Sequence, residues 1–217
     1  MSKHYKSDYL WKAVVAVVYA ILCVLFFSPL DAPVKLAYPV GWLAVVSLCC
    51  GGASPLLVLA LTLSAVGDVC GALGLLLPQI GAFGAAQVCY LVALARHCNL
   101  VGTPPKRIIG AAALPLILLL VALTAIVPKV EGGVFVVAIT LYALLIGTMV
   151  FLAGLHSRWS VRIGAVCFML SDFVLAISLF VSPLPHVAYL PLYFIGQVLL
   201  WWGLVGRAQK GTTKLQK

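Results

Sequence analysis

Acidic side chains are scarce in this chain of 217 residues, which holds five Asp and Glu in all, and charged residues of either sign make up only 9%. Soluble domains carry about 25% charged residues, so a freestanding soluble fold is excluded. Polar stretches long enough to form a second domain are missing too, and residues 1–217 read as one transmembrane domain. The seven cysteines, Cys23, Cys49, Cys50, Cys70, Cys89, Cys98 and Cys167, show no C-x-x-C spacing and lie almost entirely in apolar runs. They support neither a disulfide framework nor a zinc site, since buried cysteine behaves mostly as a small apolar residue. His4, His97, His156 and His186 fall in tails or at the ends of apolar runs, so no histidine cluster can hold a metal at mid-membrane. A metal-dependent intramembrane hydrolase is disfavoured, and no metal or other cofactor is expected.

What the chain has in abundance is hydrocarbon. Hydrophobic residues make up 64% of it and the mean hydropathy is +1.18, the composition of a polytopic membrane protein. The apolar runs are continuous, not the alternating ten-residue segments of an outer-membrane barrel, so helices are expected, with every backbone group paired inside its own span. Length and the punctuation by Pro, Gly and charge place eight all-α spans at about 11–29, 35–51, 54–76, 79–96, 106–127, 133–155, 160–182 and 186–206. The first run follows Lys3, Lys6 and Lys12 as a signal peptide would, but SPLDAPVK after it offers no small-x-small cleavage site, so a retained helix is expected.

The basic residues orient the bundle. Twelve of them lie on one side: Lys3, Lys6 and Lys12, then Arg96, Lys106 and Arg107, then Arg158 and Arg162, then Arg207, Lys210, Lys214 and Lys217. Only Lys35 and Lys129 lie on the other. The positive-inside rule therefore predicts both termini in the cytoplasm, and the net charge of +9 reflects topology and contact with anionic headgroups, not nucleic acid. Trp11, Trp159, Trp201 and Trp202 stand near span ends and read as interface anchors.

Of the acidic residues, only Asp68 and Asp172 sit deep inside spans. A carboxylate in hydrocarbon costs at least about 2.5 kcal/mol, so it implies a polar cavity, a partner or a chemical task. Ser64 and Asp68 are four apart and share a helix face, beside a small-residue stripe of Gly67, Gly71 and Gly74 that suits close helix packing. Asp172 follows Ser171 and lies two turns past Gly164 on the same face, with Phe168 between. Both helices run in the same direction, and counting about 1.5 Å per residue puts the two carboxyls at one depth, slightly beyond the midplane. Each aspartate span is followed by a span with a buried glutamine and a tyrosine, Gln87 with Tyr90 and Gln197 with Tyr193, which suggests a weak internal parallel repeat. Tyr142 in the sixth span can join the cluster. Lys35 opens the second span, where it either snorkels to the interface or reaches a phosphate from the mouth of the cavity.

These residues leave three readings open: an acid/base hydrolase, a small proton- or cation-coupled transporter built on the same aspartates, and a scaffold whose aspartates bond across helices. The ordered set Lys35, Ser64-x-x-Gly67-Asp68, GAFGAAQVCY ending at Tyr90, Gly164-Ala165-x-x-Phe168-x-x-Ser171-Asp172 and Tyr193-x-x-x-Gln197 resembles the YhhN-type family of integral membrane lysoplasmalogenases. Gln87 stands where that family usually has His, and the proline that commonly follows the Lys closely comes only at Pro39. The resemblance implies an ether hydrolase that cleaves the vinyl ether bond of lysoplasmalogens to a fatty aldehyde and a glycerophospho-ethanolamine or -choline. It also implies a lysophospholipid substrate taken from among the membrane lipids. Two carboxyls in a low-dielectric site tend to share one proton, so one of Asp68 and Asp172 can act as general acid while the other stabilises the cation and takes a proton from water. Ser64, Gln87, Tyr90, Ser171, Tyr193 and Gln197 would then orient the carboxyls and the attacking water.

Overall fold

The computed structural model describes residues 3–29, 32, 34–49, 53–98, 100 and 102–205. It contains eight α-helices: α1 (Lys3–Phe26), α2 (Tyr38–Cys49), α3 (Pro55–Ala72), α4 (Leu76–Ala95), α5 (Pro105–Val121), α6 (Gly133–Leu155), α7 (Trp159–Phe180) and α8 (Leu190–Leu204), with no strand among the described residues. Five stretches are long and apolar enough to cross a membrane, namely α3, α4, Pro105–Lys129, α6 and α7, and three more are shorter apolar helices. The all-α polytopic class expected from composition is the one observed.

The helix ends follow local chemistry. Ser54 caps α3, its hydroxyl accepting from the Leu57 amide at 3.3 Å, and Pro55 takes the first turn, where a missing amide hydrogen costs nothing. The turn from α3 to α4 is only three residues long and needs the left-handed backbone of Gly74, at φ 72°. Several spans differ from their expected bounds: α1 begins at Lys3, eight residues before the expected start, α3 ends at Ala72, four residues before the expected end, and three others differ in form. The second is shorter: a 3-10 turn at Lys35–Ala37 precedes a 12-residue α2, and Val34, a β-branched residue held at φ 48°, breaks the chain away from what comes before. The fifth ends its α-helix at Val121 and continues as a π-helical turn, Ala122–Ile126, and a 3-10 turn, Val127–Lys129. The eighth starts at Leu190, because Pro191 sets the first turn and residues His186–Ala188 form a separate 3-10 turn.

The most extensive helix pairs are α3 with α4 and α7 with α8, while α6 packs on α4, α5 and α7, and α1 and α2 pack together and on α8. Lys12 Nζ donates to the Val205 carbonyl at 3.4 Å and the Trp11 ring meets Trp201 edge-on at 5.7 Å, so α1 begins where α8 ends. At this same end Arg107 donates to the Leu155 and His156 carbonyls, both at 2.9 Å, Arg162 to the His156 carbonyl at 2.6 Å, and Arg158 to the Gly203 carbonyl at 2.7 Å. Guanidinium groups thus close the carboxyl ends of α6 and α8, where unpaired carbonyls and the helix dipole favour positive charge. Trp159, 65% exposed, suits an interface anchor. Trp201 does not: it is fully buried and its indole donates to Ser47 Oγ at 2.9 Å, which makes it a core residue linking α8 to α2.

Candidate active site

Each aspartate stands fourteen residues past the N-cap of its helix, Ser54 for α3 and Arg158 for α7. At about 1.5 Å per residue both carboxyls therefore lie about 21 Å from the end of the bundle that holds the termini. Glycines bring their surroundings together. A Cβ on Gly164 would stand 2.8 Å from the Leu200 amide nitrogen, and one on Gly196 would stand 2.9 Å from that of Phe168, so α7 and α8 touch backbone to backbone. One turn before Gly196, Tyr193 is thereby driven into the core, where it is 3% exposed and packs edge-on against Phe168 at 5.5 Å and Phe83 at 6.0 Å.

From that position the Tyr193 hydroxyl donates to Asp68 Oδ2 at 2.8 Å. Gln197 Nε2 donates to the same hydroxyl at 3.4 Å, and Gln197 Oε1 accepts from the Tyr90 hydroxyl at 2.9 Å. A chain of hydrogen bonds therefore runs from Tyr90 on α4 through Gln197 and Tyr193 on α8 to Asp68 on α3. The second carboxyl has its own phenol: Tyr142 on α6 donates a short hydrogen bond to Asp172 Oδ2. The two carboxyls stand at one depth on α3 and α7, each with its own phenol.

Two polar side chains in this site make no hydrogen bond. Ser64 Oγ, one turn before Asp68, and both polar atoms of the Gln87 amide are fully buried without a partner. Gln87 lies close to the Tyr142 hydroxyl but outside hydrogen-bond geometry. Buried polar groups are nearly always satisfied, so three such atoms beside two carboxyls mark a place built for a water or a substrate oxygen.

The remaining expected residues fall elsewhere. Ser171 Oγ donates to the Tyr189 carbonyl at 3.0 Å, so it ties α7 to the start of α8 and does not orient a carboxyl. Lys35 donates to the Ser28 carbonyl at 3.0 Å and stands 5.8 Å over the Phe26 ring, at the end of the bundle opposite the termini. One buried tyrosine escaped the sequence reading: Tyr19 on α1 donates at 2.8 Å to the carbonyl of Phe194, the residue after Tyr193. Its only sequence signature is Cys23 one turn on, a pairing too common in apolar helices to single out.

The carboxyls differ in access. Asp68 is 2% exposed, whereas Asp172 is half-buried and, with Tyr142, lines a cavity of about 70 Å³ between α5, α6 and α7. That is room for several water molecules or part of an alkyl chain.

Fold and site together define a polytopic helical membrane protein with an aspartate on each of two spans, each carboxyl hydrogen-bonded to a tyrosine. The chain belongs to the YhhN family, whose model matches residues 7–204. It is 35% identical over 164 residues to a protein of Sus scrofa named lysoplasmalogenase TMEM86B, a match covering 69% of this chain. The chain spans 63% of that relative's length. No solved structure matches it.

Proposed function

We propose that this protein hydrolyses the vinyl ether bond of lysoplasmalogens, releasing a fatty aldehyde and a glycerophospho-ethanolamine or -choline. The observation that carries the reading is the pair of carboxyls, each accepting from a tyrosine, placed around three buried polar atoms that have no partner. Family membership and the name of the pig relative support the same chemistry.

A vinyl ether is cleaved by adding a proton to its outer alkene carbon. The double bond becomes a C–H bond and leaves an oxocarbenium cation, which water captures to give a hemiacetal. Collapse of the hemiacetal breaks the bond to the glycerol oxygen, which leaves with the hydroxyl proton. Asp172, the carboxyl that lines the cavity, is assigned the proton delivered to carbon. Asp68, covered and held by Tyr193, is assigned the negative charge that faces the cation and receives the proton from water. Gln87 and Ser64 hold that water, and Lys35 meets the headgroup phosphate at the mouth. The net reaction consumes one water and leaves the pair with one proton, now on Asp68, which passes back to Asp172 before the next turnover.

Purified protein in detergent, given a lysoplasmalogen in heavy water, is expected to release aldehyde with one deuterium on the carbon next to the carbonyl. Ester-linked lysolipid of equal chain length lacks the basic alkene carbon and is expected to turn over poorly. Rapid ester hydrolysis, or a folded protein that releases no aldehyde as a carrier would, overturns the assignment. Both termini are placed in the cytoplasm, on the twelve basic residues at their side. Reporter fusions after Lys217 and near Lys106 should then report cytoplasm, and one near Glu131 the exterior.

A further inference from the structure

The cavity on Asp172 has an architecture that the two-carboxyl chemistry does not by itself require. At the end that holds the termini, α5 and α6 are in close contact: a Cβ on Gly154 would stand 2.8 Å from Ala111 Cβ. Further along, a Cβ on Gly147 would still meet Pro115 Cβ at 3.9 Å. Beyond that pair the cavity opens, walled by Leu118, Leu119, Ala122 and Ile126 on one side and by Ile139, Tyr142, Ala143 and Ile146 on the other, with Asp172 and Ala176 of α7 behind.

The α5 side is built to stand apart there. Pro115 withdraws the amide hydrogen that would pair with the Ala111 carbonyl, and the helix ends in the π turn Ala122–Ile126, a form that concentrates at functional places in helices. Along Pro105–Lys129 only 6% of the most apolar stretch is buried, and α5 itself makes little contact with α7, which is reached through the π turn. A helix packed chiefly on α6 and otherwise facing outward thus forms the outer wall of an apolar cavity whose one charged group is Asp172.

We propose that this cavity is the alkyl-chain site, entered sideways from the bilayer between the π turn of α5 and the facing halves of α6 and α7. It takes the first carbons of a single unbranched hydrocarbon chain and lays the bond attached to them against Asp172 and Tyr142. This inference rests on the vinyl ether reading and adds to it the route of the substrate and the residues that hold the first carbons of its chain. A larger groove of about 490 Å³ lies between α2 and α3, lined by residues such as Val34, Gly41, Leu48 and Val69, but neither aspartate lines it.

Two readouts test the site. Ala143→Leu and Ala122→Leu narrow the cavity without touching either carboxyl. For a vinyl ether lysolipid with a chain of about 18 carbons each should raise KM by about tenfold or more, the scale on which a filled hydrophobic pocket discriminates. A shorter homologue, of about eight carbons, presents the same first carbons and should feel each change to a similar degree. The second readout needs no turnover: a saturated alkyl ether lysolipid bearing a diazirine near the first chain carbons should label peptides within 115–126 and 139–147 of the wild-type protein. Label confined to α2 and α3, or an unchanged KM in both folded variants, overturns the chain site. Absence of aldehyde from every substrate, with labelling still at 115–126 and 139–147, overturns the reaction and leaves the site standing.

Discussion

The hairpins α3–α4 and α7–α8 each carry an aspartate on the first helix and a glutamine and a tyrosine on the second, the last two in opposite order, yet they spend their glycines differently. In α7–α8, a Cβ on Gly164 or Gly196 would meet backbone nitrogens at 2.8 and 2.9 Å, so the helices are locked at one separation. In α3–α4, Gly67 receives the Phe83 ring and Gly71 the end of the Gln79 side chain, so the contacts are made by groups that can turn. The rigid hairpin lays Tyr193 and Gln197 across onto Asp68 and Tyr90 of the adjustable one. Equal sequence equipment therefore gives unequal parts: one carboxyl sealed and held from the opposite hairpin, the other facing a cavity and held by α6.

The strongest way to break this comparison is to neutralise the carboxyls one at a time. Asp172→Asn removes the proton donor and should cost about 10³-fold in aldehyde release, and Asp68→Asn, which removes the charge facing the cation, should cost about 10²-fold, within the usual range for a general acid or base. Wild-type turnover in both folded variants would end the two-carboxyl mechanism, and the reverse ranking would exchange the roles. Next come the glycines. Gly164→Ala and Gly196→Ala force two backbones apart and should each lower stability by about 2–3 kcal/mol in thermal unfolding in detergent, whereas Gly71→Ala displaces only the Gln79 amide and should cost under about 1 kcal/mol.

Removal of a phenolic hydroxyl sharpens the contrast between the two acceptors. Tyr193→Phe unlinks the charged Asp68 from Gln197 and Tyr90 and should lower kcat by about tenfold or more, since hydrogen bonds to charged groups contribute about 1.5–3 kcal/mol. Tyr142→Phe, which breaks a single bond to the protonated carboxyl, should lower it by about threefold, on the scale of about 0.5–1.5 kcal/mol for a neutral bond. The serines give the smallest effects. Ser171→Ala gives up a hydrogen bond to the Tyr189 carbonyl and should cost about 1 kcal/mol of stability. Ser64→Ala removes a buried hydroxyl that has no partner, so it should leave the unfolding temperature unchanged or raised while turnover falls a few-fold. A drop in stability at Ser64 equal to that at Ser171 would mean that the hydroxyl serves packing and not water.

Class, helix number and the central pair were legible because each rests on a strong local regularity. Twenty-residue apolar runs bounded by Pro and Gly have no other stable form in lipid, and two carboxyls inside them are conspicuous by cost alone. Spacing by one turn exposed Tyr193 with Gln197, and order along the chain exposed Gln87 and Tyr90. What stayed hidden depends on contacts between distant segments. Trp201 reads as an interface anchor until Ser47 is seen beneath it, and Ser171 reads as a neighbour of its aspartate until its hydroxyl is found on Tyr189. The π turn of α5 follows from packing more than from ALTAI, whose five residues fit an ordinary helix equally well.

The short second span has a mechanical side. Lys35–Cys49 covers about 22 Å along its axis and α6 about 35 Å, against a hydrocarbon core of about 30 Å. With Tyr38, Val45 and Leu48 turned outward, α2 presents its short side to the lipid. The bilayer must thin on that flank or the bundle must lean, at a cost of fractions of a kcal/mol per Å of mismatch. On that flank the described helix is shorter than the hydrocarbon core, so bilayer thickness is expected to bear on the lean of the bundle and on the height at which the cavity beside α5 meets the surrounding leaflet.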